Sequence, residues 1–302
     1  MARPAVSNVA LFVIPSVIWG TTWLAIKFQL GLVAPEVSVT WRFALAGALI
    51  VAWCALRGVP LRFSPRDHAG FALLGALLFG VNYVLTYRSE QYLTSGLVAV
   101  IFAFIVFWNL LGAWLLFGTR PPRAVVAGAA LGVGGVALLF WPEVASLRAG
   151  ASGGQAAGMG LAVVATLLAS GGNLYSQRLF RRGLPVLPAT GLSMAYSAAM
   201  VAGWCAVTGV PFTFDARPGY VLSLLYLACF GSVVAFLTYL TLVHRIGAGR
   251  AGYTSAVTPA VAMAISTAFE GYRWTPGTLA GMALVLGGTV LVLRARATAA
   301  PR

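Results

Sequence analysis

The sequence predicts an all-α integral membrane protein, with ten transmembrane helices arranged as two inverted five-helix repeats. Three observations predict it. Hydrophobic residues fill 60% of the 302 positions and charged residues only 9%, about a third of the charge of a soluble domain. Ten apolar runs follow one another, each near the roughly 20 residues a helix needs to cross a bilayer core. The second half of the chain also repeats landmarks of the first at an almost constant offset. The net charge of +14 does not imply a nucleic-acid partner, because the arginines stand singly between apolar runs and form no basic face. Cys54, Cys205 and Cys229 lie inside apolar runs, so neither a disulfide framework nor a thiolate metal site is expected.

In order, span 1 (about 9–28) carries Trp19, Thr22 and Trp23 and ends at Lys27, the only lysine. It reads as a retained helix: it is too long for a cleaved leader and is matched later in the chain. Span 2 (36–56) has Arg42 one or two turns inside it, and span 3 (69–88) has Asn82, Tyr83 and Tyr87. Span 4 (94–117) pairs Phe104 with Trp108 at i,i+4, on one helix face. In span 5 (124–141), Gly128, Gly132 and Gly135 permit close helix approach. The stretch from Trp141 to about Gln155 is Gly- and Ala-rich and reads as a linker between residues 1–150 and 151–302. Span 6 (157–177) carries a stripe of Ser170, Asn173 and Gln177. Span 7 (187–208) repeats span 2, and span 8 (219–242) offers Thr238 and Tyr239. Span 9 (251–269) has Tyr253, Thr254 and Thr258 ahead of a mid-span Pro259, with Glu270 at its end. Span 10 (276–293) has Gly281 and Gly288, which make it, like span 5, scaffold.

An even span count puts both termini on one side. With the N-terminus inside, inner segments hold fourteen basic residues and outer segments five, with Arg42 left inside span 2. The positive-inside rule therefore predicts cytoplasmic termini. Five of the six acids, Glu36, Glu90, Glu143, Asp215 and Glu270, fall outside.

The repeat is explicit. Trp53-Cys54-Ala55-Leu56-Arg57-Gly58-Val59-Pro60 returns as Trp204-Cys205-Ala206-Val207-Thr208-Gly209-Val210-Pro211, and Phe79-Gly80 as Phe230-Gly231. Half the chain separates the copies, so each holds five spans, and two copies of an odd unit enter the membrane in opposite senses. Arg57 and Arg62 become Thr208 and Thr213, as expected when an inner loop becomes an outer one. Inverted repeats are the architecture of secondary transporters, whose site lies between the halves.

Polar groups inside a bilayer are expensive and mark candidate site residues. Lys27, Arg42 and Glu270 either snorkel to the interface or stand as charges at a cavity mouth, where Lys27 or Arg42 attracts a carboxylate. The neutral candidates are Trp19, Thr22, Asn82, Tyr83, Phe104, Trp108, Ser170, Asn173, Gln177, Tyr239, Tyr253, Thr258 and Pro259. Each is either cavity lining or interhelical glue.

Trp19-Gly20-Thr21-Thr22 followed by Lys27, Trp41-Arg42-Phe43-Ala44-Leu45 at the head of span 2, and Pro259 with Glu270 resemble the drug/metabolite transporter superfamily. The likeness is to its ten-span EamA-type exporters, including exporters of aromatic amino acids of the YddG type. It implies a bacterial inner-membrane carrier working by alternating access, with spans 1, 3, 4, 6, 8 and 9 around a central cavity. Span 4 departs from the pattern: Val106 or Phe107 stands where many members have proline, and Phe117-Gly118-Thr119 where they have Leu-Gly-Glu.

The expected function is export of small neutral solutes, above all amino acids including aromatic ones, with drugs, purines or other metabolites of the same superfamily as the alternative. A small-molecule substrate and the lipid bilayer are the expected partners, with no cofactor and no metal; the oligomeric state is open, with a monomer acceptable. An intramembrane enzyme lacks its constellation, since His68 and His244 fall in inner loops and the aspartates are only Asp67 and Asp215. A channel lacks a charge ring or filter loop. Either transport is facilitated diffusion, or proton coupling runs through Glu270 or Glu36.

Overall fold

A computed structural model describes residues 6–118, 122–139, 141, 153–256 and 258–297. All regular structure among them is helical. Helix α1 (Asn8–Lys27) starts where Ser7 accepts the Ala10 amide, and α2 (Pro35–Leu56) starts on a proline that needs no hydrogen-bond acceptor. Helix α3 (Pro65–Leu74) passes through a wide π turn (Gly75–Gly80) into α4 (Val81–Glu90). Then come α5 (Ser95–Phe102), α6 (Ile105–Phe117) and α7 (Arg123–Leu139). After the linker, α8 (Gly154–Arg181) and α9 (Val186–Thr208) lead to α10 (Pro218–Tyr226), which runs through a second π turn (Leu227–Val234) into α11 (Ala235–Ile246). The chain continues as α12 (Ala248–Ala251), a 3₁₀ turn (Gly252–Ala256), α13 (Thr258–Phe269) and α14 (Pro276–Ala297).

Among the described residues, seven helical rods are long and apolar enough to cross a bilayer: 8–27, 35–56, 65–90, 95–116, 154–181, 186–208 and 218–246. Helices α7 and α14 cover the runs expected as spans 5 and 10, and the run expected as span 9 passes through the 3₁₀ turn at Gly252–Ala256 before α13. Pro259 lies in the first turn of α13, where its missing N–H costs nothing. The expected linker falls largely on 142–152, and Thr119 of the departing motif on 119–121, both outside the described residues.

Helices pack mainly across the two halves of the chain. Helix α2 lies along α9, α7 along α14, α4 along α8, α5 on α13, and α1 against both α11 and α13. Glycines set the closest approaches: a Cβ on Gly47 would sit 2.8 Å from the Ala195 nitrogen. The central core joins Phe43, Phe79, Tyr87, Phe236 and Tyr239 with aliphatic residues of both halves.

Candidate functional site: a central aromatic cavity

Between the halves lies a narrow cavity. Its volume is about 70 Å³. Helix α1 contributes Trp19, Thr22, Trp23 and Ile26; the α3–α4 rod contributes Leu78, Asn82, Tyr83 and Thr86; Ala99, Phe102 and Ile105 come from α5 and α6. The second half adds Ala169 and Asn173 from α8, Phe236 and Tyr239 from α11, and Ser255 and Thr258 around the 3₁₀ turn.

The wall is mostly ring edges. Trp19 meets Phe236 and Tyr239 edge-on at 5.0 Å, and Trp23 lies 5.0 Å from Phe102. Trp19 is fixed by its indole N–H, which donates to the Gly231 carbonyl at 3.2 Å inside the second π turn. Several polar wall residues are satisfied by their own helices. Thr22 donates to Trp19 O, Asn82 to Leu78 O, Thr86 to Asn82 O and Thr258 to Thr254 O. Two buried wall groups have no partner among the described residues, the Trp23 indole Nε1 and the Asn173 amide oxygen. A buried polar group without a partner is costly and marks a place for one.

Of the residues expected from sequence, Trp19, Thr22, Asn82, Tyr83, Asn173, Tyr239 and Thr258 meet on this wall. Trp23, noted on span 1 but not among the site candidates, joins them, as do Thr86, Phe102, Ile105 and Phe236, since an apolar helix does not say which face turns inward. Phe104 lies off the wall in a separate cluster with Phe107, and Trp108 is also absent from it. Ala99 and Phe102 line the wall, and Phe104, two residues after Phe102, falls on the opposite helix face. Gln177 instead accepts the Ala248 amide at 2.9 Å, while Asn109 donates to the Ala248 carbonyl at 3.3 Å. These bonds tie α6, α8 and α12 together below the cavity. Ser170 is buried off the wall, Pro259 heads α13, and the Tyr253 side chain lies outside the described residues.

The three charges behave differently from one another. Arg42 does not snorkel; it is 1% exposed. Its Nε donates to Ser232 Oγ at 2.9 Å, and its guanidinium stands 4.6 Å from the centre of the Tyr83 ring. Among the described residues it forms no ion pair. The Lys27 ammonium donates to the main-chain carbonyls of Glu90 and Leu93, capping the C-terminal end of α4. Glu270 accepts both the amide and the hydroxyl of Ser95, capping the N-terminus of α5, and lies 3.9 Å from Lys27 Nζ. Lys27 and Glu270 therefore tie helices together at one end of the cavity.

A model of the EamA-like transporter family matches residues 6–141 and again 156–294. The inner membrane transporter YedA of Escherichia coli (strain K12) is 28% identical over 285 residues, 91% of this chain and 87% of YedA. Protein PagO of Salmonella typhimurium (strain LT2) is 24% identical, covering 96% of this chain and 94% of its own length. A protein of the same organism named a probable amino-acid metabolite efflux pump is 25% identical, covering 94% of each chain. A solved crystal structure, 21% identical, superposes with a TM-score of 0.70 over 96% of this chain and 98% of its own; that likeness is one of fold. The helices long enough to span a bilayer and the twofold match of the family model agree: the chain is a multi-pass membrane transporter and belongs to the EamA-like family of the drug/metabolite transporter superfamily.

Proposed function

We propose that the protein exports small neutral solutes, above all amino acids including aromatic ones. It does so by alternating access through the central cavity, between inverted five-helix repeats at 1–150 and 151–302. The observation that carries the solute class is the pair of unsatisfied wall groups. One N–H donor (Trp23) and one amide acceptor (Asn173) stand in an otherwise ring-lined cavity. A zwitterion supplies a carboxylate for the first and an ammonium for the second, and an aromatic side chain fits the apolar remainder. The relative named an amino-acid metabolite efflux pump supports the same class.

The packing pattern supports the inverted repeat. A twofold axis would exchange α1 with α8, and the α3–α4 rod with the α10–α11 rod. A contact of α4 with α8 then requires one of α11 with α1, and both are present. The pairs α2 with α9, α5 with α13 and α7 with α14 are mates under the same axis. The two π turns fall at equivalent places, around Gly80 and Gly231. On this reading and the positive-inside rule, the Lys27 end faces outward and both termini are cytoplasmic, in a bacterial inner membrane. Because the cavity is narrow, admitting an amino acid requires its walls to part, as alternating access demands.

Purified protein in proteoliposomes is expected to carry labelled tryptophan or phenylalanine; flux no greater than in empty vesicles overturns the solute class. Trp23→Phe keeps the ring and removes the donor. It is expected to weaken tryptophan binding about tenfold or more, since a hydrogen bond to a charged group contributes about 1.5–3 kcal/mol. Equilibrium binding to the detergent-purified variant checks this.

A further inference from the structure

Three acids gather at the Lys27 end, and two of them are satisfied. Glu36 accepts the Arg88 Nε–H at 2.6 Å, and Glu270 accepts from Ser95. Glu90 is the third. Its side chain is fully buried, and among the described residues neither carboxyl oxygen has a hydrogen-bond partner. The charged and titratable groups facing it are Lys27 from α1, Arg42 from α2, Glu270 beyond α13 and the buried Tyr87 of its own helix. Helix α8, packed along α4, brings Gly158 and its small neighbours to this end, and α5 brings an apolar face; neither carries a titratable group there. The nearby cations are otherwise engaged. Lys27 holds the carbonyls of Glu90 and Leu93, while Arg42 holds Ser232 and Tyr87.

A carboxylate buried without a donor is far costlier than the neutral acid. The closed arrangement is therefore stable with a proton on Glu90 and disfavoured without one. The closure also bears directly on the cavity. Glu90 lies one helical turn beyond Thr86, Ser95 one turn before Ala99, and Lys27 beside Ile26. Thr86, Ala99 and Ile26 all line the cavity.

We propose that Glu90 is a proton-binding site whose occupancy closes the Lys27 end, so that a proton gradient drives the transport cycle. With the end closed, one proton sits on the Glu90 carboxyl. When α1 parts from the α4–α5 corner, water enters, the proton leaves to that water, and the Lys27 ammonium, freed from the two carbonyls, pairs with the new carboxylate. The proposal rests on the transporter reading but not on which solute is carried.

Two measurements need no solute. Infrared spectra of the purified full-length protein near neutral pH should show a protonated-carboxyl C=O band. That band should vanish in Glu90→Gln and shift in Glu90→Asp, the second variant serving should the first fail to fold. A spectrum unchanged by both substitutions overturns the site. Ile26→Cys, just beneath the closure, is then alkylated across a pH series in the Glu90 and Glu90→Gln backgrounds. The ratio of the two rates should rise with pH by about tenfold, equivalent to about 1.4 kcal/mol; a constant ratio overturns the link between proton and closure. In proteoliposomes, a pH gradient should accelerate tryptophan flux in the wild type and leave Glu90→Gln indifferent, and wild-type flux that ignores the gradient overturns the coupling. Absence of any tryptophan flux counts against the solute class alone, because the infrared and alkylation results are independent of it.

Discussion

Arg42→Met is expected to lower tryptophan flux by about two orders of magnitude, the scale on which loss of a buried charge partner costs 2–5 kcal/mol. The unfolding midpoint should stay the same or rise. Both effects come from one geometry. The guanidinium is withdrawn from water and has no ion pair among the described residues; one hydroxyl bond to Ser232, a longer one to Tyr87, and the faces of Tyr83 and Phe43 hold it. Those contacts do not offset the desolvation of a full charge, and replacing such a group by an apolar one of similar volume is often neutral or stabilising. A charge kept at that cost is explained by what it does for a bound solute. Arg42 stands directly behind the wall: a Cβ on Gly231 would lie 3.2 Å from the guanidinium and 2.9 Å from the Thr22 methyl. Its positive field reaches the cavity with little water to screen it, and would attract the carboxylate of the proposed solute. Arg42→Lys keeps the charge but not the planar fork that meets Ser232 while lying over Tyr83, so intermediate flux is expected. Wild-type flux in Arg42→Met removes the guanidinium from solute recognition. Lost flux accompanied by a lowered midpoint makes it a structural anchor.

Much of the fold can be read from the sequence where apolar runs end at unambiguous signals. The run expected at 36–56 is α2, starting on Pro35, and the run at 187–208 is α9, ending at Gly209 in the left-handed region. Breaks inside runs leave no such mark. Hydropathy is continuous across Ala103 and Phe104, across the π turns and into the 3₁₀ turn at Gly252–Ala256, and it does not register a change of helical phase. In span 4 the i,i+4 spacing of Phe104 and Trp108 shows that they share a face but not which way it points, and Ala99, Phe102 and Ile105 are the residues that line the cavity. The site is partly legible because Asn82, Asn173 and Thr258 are polar in apolar surroundings. Trp23 and Phe236 carry no such contrast. Glu90 departs from its expected place for another reason. The separator after span 3 is so short that Lys27 and α8 cover it, and a residue expected at an exposed loop is buried.

Gly135→Leu is expected to prevent folding, and Gly134→Leu, one residue away, to be tolerated. The seam of α7 with α14 is built by backbone approaching backbone. A Cβ on Gly135 would stand 2.6 Å from the Gly281 carbonyl oxygen and 2.8 Å from the Val285 nitrogen. From the other side, a Cβ on Gly288 would stand 2.5 Å from the Gly128 carbonyl oxygen. Neither obstacle is the far end of a flexible side chain, so relief requires the helices to separate, and much of the packing between them is lost. Overpacking of this kind typically costs about 1–3 kcal/mol for small additions. Gly135→Ala should therefore lower the unfolding midpoint in detergent, and the leucine variant should fail to accumulate as folded protein. A Cβ on Gly134 or Gly287 would meet no atom within 4 Å, so leucine at either position enters open space. Equal midpoints for the 134 and 135 variants would mean the two helices do not meet along this line. A loss confined to 135 and 288 locates the seam, and because neither residue lines the cavity, it does so without touching solute binding.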